Sequence, residues 1–196
     1  MPLHYPIQLD FYKLLISLSE VTDLVSPALV NHHKQVSYIA YQIGKIMGLP
    51  ENDVRDLAIA GALHDIGGLS LATRLDTLDF EMKNPQRHAD ASAVLLAMFK
   101  PFSRIAELVR FHHVYWQDGA GEVFDNQQVP RLCHVLHLAD RIAVLVDPVQ
   151  EVLGQAVPVA DKIRKNAGRM FIPEMVEAFE ELSVRESFWL DIAGPA

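Results

Sequence analysis

A chain of 196 residues, half of them hydrophobic, has single-domain length and can bury one sizeable core. A net charge of −8 argues against a broad surface for nucleic-acid polymers or anionic membranes, and no stretch approaches the roughly 18 uninterrupted apolar residues of a membrane span. The single cysteine, Cys133, excludes an intrachain disulfide, and the N-terminus lacks the charged start and apolar run of a signal peptide, so a cytoplasmic location is expected.

In chain order the pattern predicts helix after helix. A short one covers about Asp10 to Ser19. Ser26-Pro27 reads as an N-cap with proline in the first turn, opening a helix that carries Leu29, Val36, Ile39, Ile43 and Met47 on one side and ends near Gly48. "LPENDVRDLAIAGALHD" opens the next, followed by "NPQRHADASAVLLAMF" and by "PFSRIAELVRFHH", which starts at Pro101. Then come "VPRLCHVLHLADRIAVLV", also begun by proline, "VADKIRKNAGRMF" and "IPEMVEAFEELS". "GLPEN", "GGLS" and "QDGAGEVFDNQQ" supply turn chemistry between them, and strand alternation is nearly absent. The expectation is an all-α single domain over residues 1–196, with a helical core over about 26–147 and accessory helices over about 148–193.

Nine histidines are unusual, and six fall in His-His pairs, a Cys-His step or a His-Asp step. His64 follows Leu57 by seven residues and Gly61 by three, which turns it toward the core. His32 shares the stripe of Val36, Ile39 and Ile43, and Asp140 sits among Leu136, Ala143 and Val144. His112 and His113 end an apolar helix, and His88 lies in the first turns of another. Any one inward histidine is ordinarily a satisfied core residue. Several on different helices, with two aspartates, are costly to bury without a shared partner. A metal centre recruits them together, because imidazole and carboxylate suit Zn, Mn or Fe and carboxylates bridge two ions.

The order His, His-Asp, His, His-His, Asp resembles the HD superfamily of metal-dependent phosphohydrolases, most closely its HD-GYP branch. The resemblance covers about Ser26 to Asp147 and extends loosely to "FIPEMVEAF". "HHKQV" places His32 in the role of the first histidine, 32 residues before His64, with Val36 where the family has valine. "LHDIGG" is similar to L-H-D-I-G-K except at its last position. "FEMKNPQRH" resembles the approach to the next ligand, His88. "RFHHVYWQDGAG" resembles H-H-E-x-x-D-G with one extra residue, and "VPRLCHVLHLAD" matches the frame that ends in Asp140. The resemblance implies an HD-domain helical bundle with additional C-terminal helices and a metal-ligand set of His32, His64, Asp65, His88, His112, His113 and Asp140. His64 and Asp65 form its catalytic pair.

It further implies two divalent ions, Fe, Mn or another transition metal, bridged by Asp65 about 3.5–4 Å apart. His32, His64 and Asp140 serve one, and His88, His112 and His113 serve the other. A bridging water, acidified toward about pH 7, becomes the hydroxide that attacks a phosphodiester in line. The implied partner is a phosphate-bearing small molecule, cyclic di-GMP in the family; the ions offset the chain's negative charge locally. A signalling-protein partner or homodimer is a further expectation.

Several positions depart from the family pattern. Gly68 stands where a lysine contacts phosphate, Gly121-Glu122-Val123 replaces G-Y-P, Val114 replaces a glutamate, Gln35 an arginine, and Ala28 a glutamate used by some trinuclear members. Arg141, Arg87, Arg131 and Lys83 are candidate replacements for the lost lysine; Arg141, beside a ligand, is the nearest by sequence, or else a solvated helix-face arginine. His33 reads as a surface neighbour of His32, one helical step of 100° away. His137, three residues before Asp140, is a partner supporting the ligands or a core histidine, and His134 is structural. "ESFWLD" packs in the core or offers a docking surface. The leading expectation is a phosphodiesterase for a cyclic dinucleotide or related signalling nucleotide. A non-catalytic or weakly catalytic metal- and nucleotide-binding signalling module, and a phosphomonoesterase, are the alternatives.

Overall fold

Helix α1 (His32–Ile46) and helix α2 (Glu51–Leu63) form the first packed pair of the computed structural model, which describes residues 13–17, 19, 31–68, 79–81 and 86–194. The end of α1 follows from Gly48, which adopts φ +66. That left-handed residue lets the Leu49 N–H reach back to Gly44 O at 3.0 Å and the Gly48 N–H to Lys45 O at 3.1 Å, closing the helix as glycine at this position does. Pro50 starts α2, and Glu51 and Asp53 place negative charge in its first turn, where the helix dipole favours it. The two helices approach so closely that a side chain at Gly61 would stand 2.6 Å from Ser37 Cα. Ser37 ties them further by donating to Ala58 O at 2.7 Å.

Helix α3 (Gln86–Ala97) packs on α4 (Ser103–Arg110), and α5 (Arg131–Leu145) packs on both α1 and α2. α5 is buried along nearly its whole length, from Cys133 to Ala143, and is the central element of the core. α6 (Ala156–Arg164), α7 (Pro173–Ser183) and α8 (Glu186–Ala193) form the C-terminal layer, with α7 lying against α1 and α6. The fold is all-α, apart from a hairpin of β1 (Val123–Phe124) and β2 (Gln127–Gln128). Its turn residues, Asp125 and Asn126, both have positive φ, the geometry that suits a two-residue hairpin loop. Strands this short leave no alternating pattern to read.

One expected boundary differs clearly. The helix read over "VADKIRKNAGRMF" ends at Arg164. Gly168 then turns with φ +79, and the chain pairs with the segment after His113: the Trp116, Gln117 and Asp118 N–H groups donate to Met170 O, Arg169 O and Gly168 O at 3.2, 2.8 and 2.8 Å. In "ESFWLD" the aromatics pack inward. Phe188 and Trp189 are buried, and the indole donates to Ser183 O at 2.8 Å. The expected Ser26-Pro27 start, and most of the Asp10–Ser19 helix, lie outside the described residues, although residues 13–17 are helical. Among the described residues, no helix is long and apolar enough to cross a membrane.

Candidate metal centre

The seven expected ligands come from every part of this core. α1 supplies His32 from its first residue, and the turn that ends α2 supplies His64 and Asp65. α3 contributes His88, the end of α4 leads into His112 and His113, and α5 contributes Asp140. All seven are buried, and they converge as two groups: His32, His64 and Asp140, and Asp65, His88, His112 and His113. Within each group one donor atom per residue lies within 4.8 Å of the others.

Two histidines have their tautomer set by the helix that carries them. His64 Nδ1 donates to Gly61 O at 2.9 Å and His112 Nδ1 donates to Val109 O at 2.5 Å, each three residues back. Each ring then turns its Nε2 to the centre, the usual way in which a supporting carbonyl orients a metal-binding imidazole. Asp65 divides its carboxylate between the groups. Oδ2 lies 3.4 Å from His64 Nε2, and Oδ1 lies 3.3 Å from His88 Nε2 and 3.7 Å from His112 Nε2. Asp140 Oδ1 lies 3.4 Å from His32 Nε2 and 3.7 Å from His64 Nε2.

These separations exceed good hydrogen bonds but suit donors that share an ion. Two ligands, each about 2.0–2.1 Å from a tetrahedral metal, are roughly 3.3 Å apart. The Nε2 atoms of His32, His64 and His112 and the Oδ1 atoms of Asp65 and Asp140 are buried and make no hydrogen bond. Leaving so many polar atoms orphaned in one place is expensive. Divalent metal bound among them would satisfy these atoms, so the residues present fit a metal centre.

Electrostatics favour cation binding. Burial raises the cost of ionising Asp65, but the surrounding histidines outweigh it and hold the carboxyl well below the usual range. Asp140 is likewise held low against burial, chiefly by the Arg141 guanidinium. Burial lowers the pKa of His112 to about 3 and of His113 well below its ordinary value, so both are neutral imidazoles. His64 differs: burial opposes its charge, but Asp65 and Asp140 together lift it to about 9. A cation entering this group therefore displaces a proton.

The remaining sequence candidates take definite places. His33 is not at the surface; it is buried, with its ring centroid 5.0 Å from that of His64, because the α1–α2 contact encloses both sides of the α1 start. His137 stacks on Tyr115 at 5.4 Å and meets the His113 ring edge-on at 5.9 Å, directly behind a candidate ligand. His134 is buried against Trp116. Arg141 is not a solvated helix-face arginine: it is 1% exposed and engages Asp140 together with the carbonyls of Asp79 and Phe80. Gly68 is buried and donates its N–H to Asp65 O at 2.9 Å. Gln35 points to the C-terminal helix, donating to Ile192 O. Arg131 pairs with Glu174, Arg87 is exposed, and Lys83 and Ala28 lie outside the described residues.

Sequence reading missed Gly67. Its N–H donates to Ser92 Oγ at 2.9 Å, and an added Cβ would stand 2.2 Å from the Ser92 nitrogen. The first glycine of "HDIGG" therefore lets the Asp65 turn press against the backbone of the helix that bears His88. The double glycine was the available signal.

The profile of the HD domain matches residues 29–145, and the chain belongs to that family. Over 185 residues it is 23% identical to a 3'3'-cGAMP-specific phosphodiesterase 1 of Vibrio cholerae, covering 89% of this chain and 42% of that protein. Over 191 residues it is 26% identical to a cyclic di-GMP phosphodiesterase of Thermotoga maritima, covering 88% of this chain and 49% of that one. A crystal structure of a cyclic GMP-AMP-specific phosphodiesterase of V. cholerae superimposes with a TM-score of 0.67 at 18% identity, over 93% of this chain and 51% of the other, and shares the fold. The chain spans about half the length of these proteins or less.

Proposed function

We propose that the chain is a metal-dependent phosphodiesterase acting on a cyclic dinucleotide or a related signalling nucleotide. The observation that carries this reading is the division of Asp65 between two groups of buried, unsatisfied donors. The two named phosphodiesterases among its relatives support the substrate class. His32, His64 and Asp140 would hold one divalent ion, and His88, His112 and His113 the other, with Asp65 shared.

When bound, such ions supply Lewis acidity toward a phosphoryl group and acidify the attacking water. The chain's own residues supply the rest. Gly61 O and Val109 O fix the rings of His64 and His112, so no reorganisation is needed during reaction. Burial of all seven donors keeps bulk water from competing for them. Cys133 takes no part as a nucleophile: it is fully buried, and burial drives its thiol pKa well above the ordinary value.

A second reading, a signalling module that binds metal and nucleotide without turnover, is favoured by one observation. Gly68 brings no cation to the turn where the sequence pattern calls for a phosphate-binding lysine, and its N–H is spent on Asp65 O. Metal analysis of anaerobically purified protein, coupled to hydrolysis assays with cyclic di-GMP and cyclic GMP-AMP, separates the readings. Phosphodiesterase activity predicts metal and turnover in the wild type, both lost in His64→Ala and Asp65→Ala. Stoichiometric metal with nucleotide binding and no turnover under added Mn²⁺ or Fe²⁺ supports the module, and protein that takes no metal defeats both.

A further inference from the structure

Asp140 presents its two carboxylate oxygens to different surroundings. Oδ1 faces His32 and His64, while Oδ2 accepts from Arg141 Nη2 at 2.6 Å and Nε at 3.1 Å. The same guanidinium turns Nη1 outward to Asp79 O at 2.5 Å and Phe80 O at 3.4 Å. Arg141 is thus a three-way bracket, 1% exposed, between a candidate ligand and the described segment 79–81. That segment is held a second time, because Glu81 receives Arg169 Nη2 at 2.7 Å. Phe80 packs edge-on against Phe171 and lies beneath Lys162.

A planar fork that binds one carboxylate oxygen through two N–H groups fixes the plane of the carboxylate as well as its charge. Without it, Asp140 is free to rotate about its side-chain bonds, and Oδ1 loses its aim at the Nε2 pair. We propose that Arg141 is a positioning residue for the metal centre: it holds Asp140 so that Oδ1 alone serves the His32/His64 ion, and it couples segment 79–81 to that ligand. This rests on the metal reading above. It assigns Arg141 a structural target, Asp140, in place of the substrate phosphate considered from sequence. Partners that support a metal ligand typically contribute about 10–100-fold to metal affinity.

The test is titration of metal-stripped full chain with Co²⁺ under anaerobic conditions, following the visible ligand-field spectrum and total metal bound. If the wild type binds no Co²⁺, the metal reading itself fails. With two ions bound by the wild type, Arg141→Met is expected to weaken one site about 10–100-fold and alter its spectrum while the other site keeps its affinity. Arg141→Lys, which retains charge but not the fork, is expected to fall between the two. Unchanged affinity and spectrum in Arg141→Met overturn the proposal, and so does equal weakening of both sites. Should Arg141→Met fail to show the wild-type helical circular dichroism, Arg141→Lys decides: a wild-type titration with that variant overturns it, and selective weakening of one site supports it.

Discussion

The Nε2 atoms of His88 and His113 stand 2.8 Å apart, at hydrogen-bond distance. Burial pushes both pKa values down, so two neutral rings face each other and one must donate its proton to the other. Two ring nitrogens that share a proton in this way can also share a cation, once that proton moves away. His88→Ala or His113→Ala is therefore expected to remove one ion of the pair and leave the one served by His32, His64 and Asp140. Elemental analysis of the purified variants gives the count; a variant that still carries two ions per chain contradicts the grouping.

Asp65 differs from either histidine because its two oxygens face histidines of both groups. Asp65→Ala is expected to empty both positions, to about a tenth or less of wild-type metal, with hydrolysis lost in parallel. Retention of one full ion, measured in the same way, would show that the carboxylate is not shared.

Removing metal leaves five buried polar atoms without partners and restores repulsion between Asp65 and Asp140. A ligand present at 100 to 1,000 times its dissociation constant adds about 2.7–4.1 kcal/mol to stability. Chelation is expected to lower the melting temperature by several degrees, and Mn²⁺ or Fe²⁺ to restore it. Differential scanning fluorimetry before and after EDTA is sufficient, and an unchanged midpoint would argue against a buried site.

Gly67→Ala has no room: the new carbon would meet the Ser92 backbone at 2.2 Å. Forcing the turn from α3 is expected to cost about 1–3 kcal/mol, in the range of overpacked cores. Ser92→Ala, which removes only the acceptor of the Gly67 N–H, should cost nearer 1 kcal/mol. Urea unfolding distinguishes the two. If Gly67→Ala proves the milder change, the backbone contact is less tight than this geometry requires.

His134 supplies a pH signature away from the proposed ligands. Burial, assisted by the Arg131 charge, lowers its pKa to about 4 against about 6.5 when unfolded. The folded state thus prefers the neutral ring. Its contribution is complete above pH 6.5 and is lost as pH falls through the window from 6.5 to about 4, because the unfolded chain takes up the proton first. In denaturant titrations of the metal-loaded protein, His134→Leu should show a weaker decline of stability across that window. Parallel profiles would place the His134 pKa nearer its ordinary value.

The candidate donor set was legible because metal chemistry restricts residue type and helix spacing restricts where those types can stand. His32, His64 and Asp140 lie on apolar stripes that can be counted in the sequence, and each arrives in one group. Arg141 was harder. Helical phase alone made it a neighbour of Asp140, yet its burial comes from carbonyls of residues 79 and 80, some sixty positions away, and no local pattern announces that contact. His33 misled for a related reason: one helical step turns a residue away from its neighbour's face, but the α1–α2 contact encloses both. The turn over residues 165–171 follows from Gly168 and from tertiary pairing that overrides the helix-forming residues around it.

The pairing of residues 116–118 with residues 168–170 has a consequence for cooperativity. The segment that leaves His113 obtains acceptors for three successive amides from the C-terminal layer, so those helices are not an ornament on an independently folding core. Chain cut before residue 168 would expose those amides just beyond the paired histidines, and the loss would travel to His112 and His113 by the shortest covalent route. The helices that bear the candidate ligands and the C-terminal layer should consequently melt as one thermodynamic unit, with a single calorimetric transition.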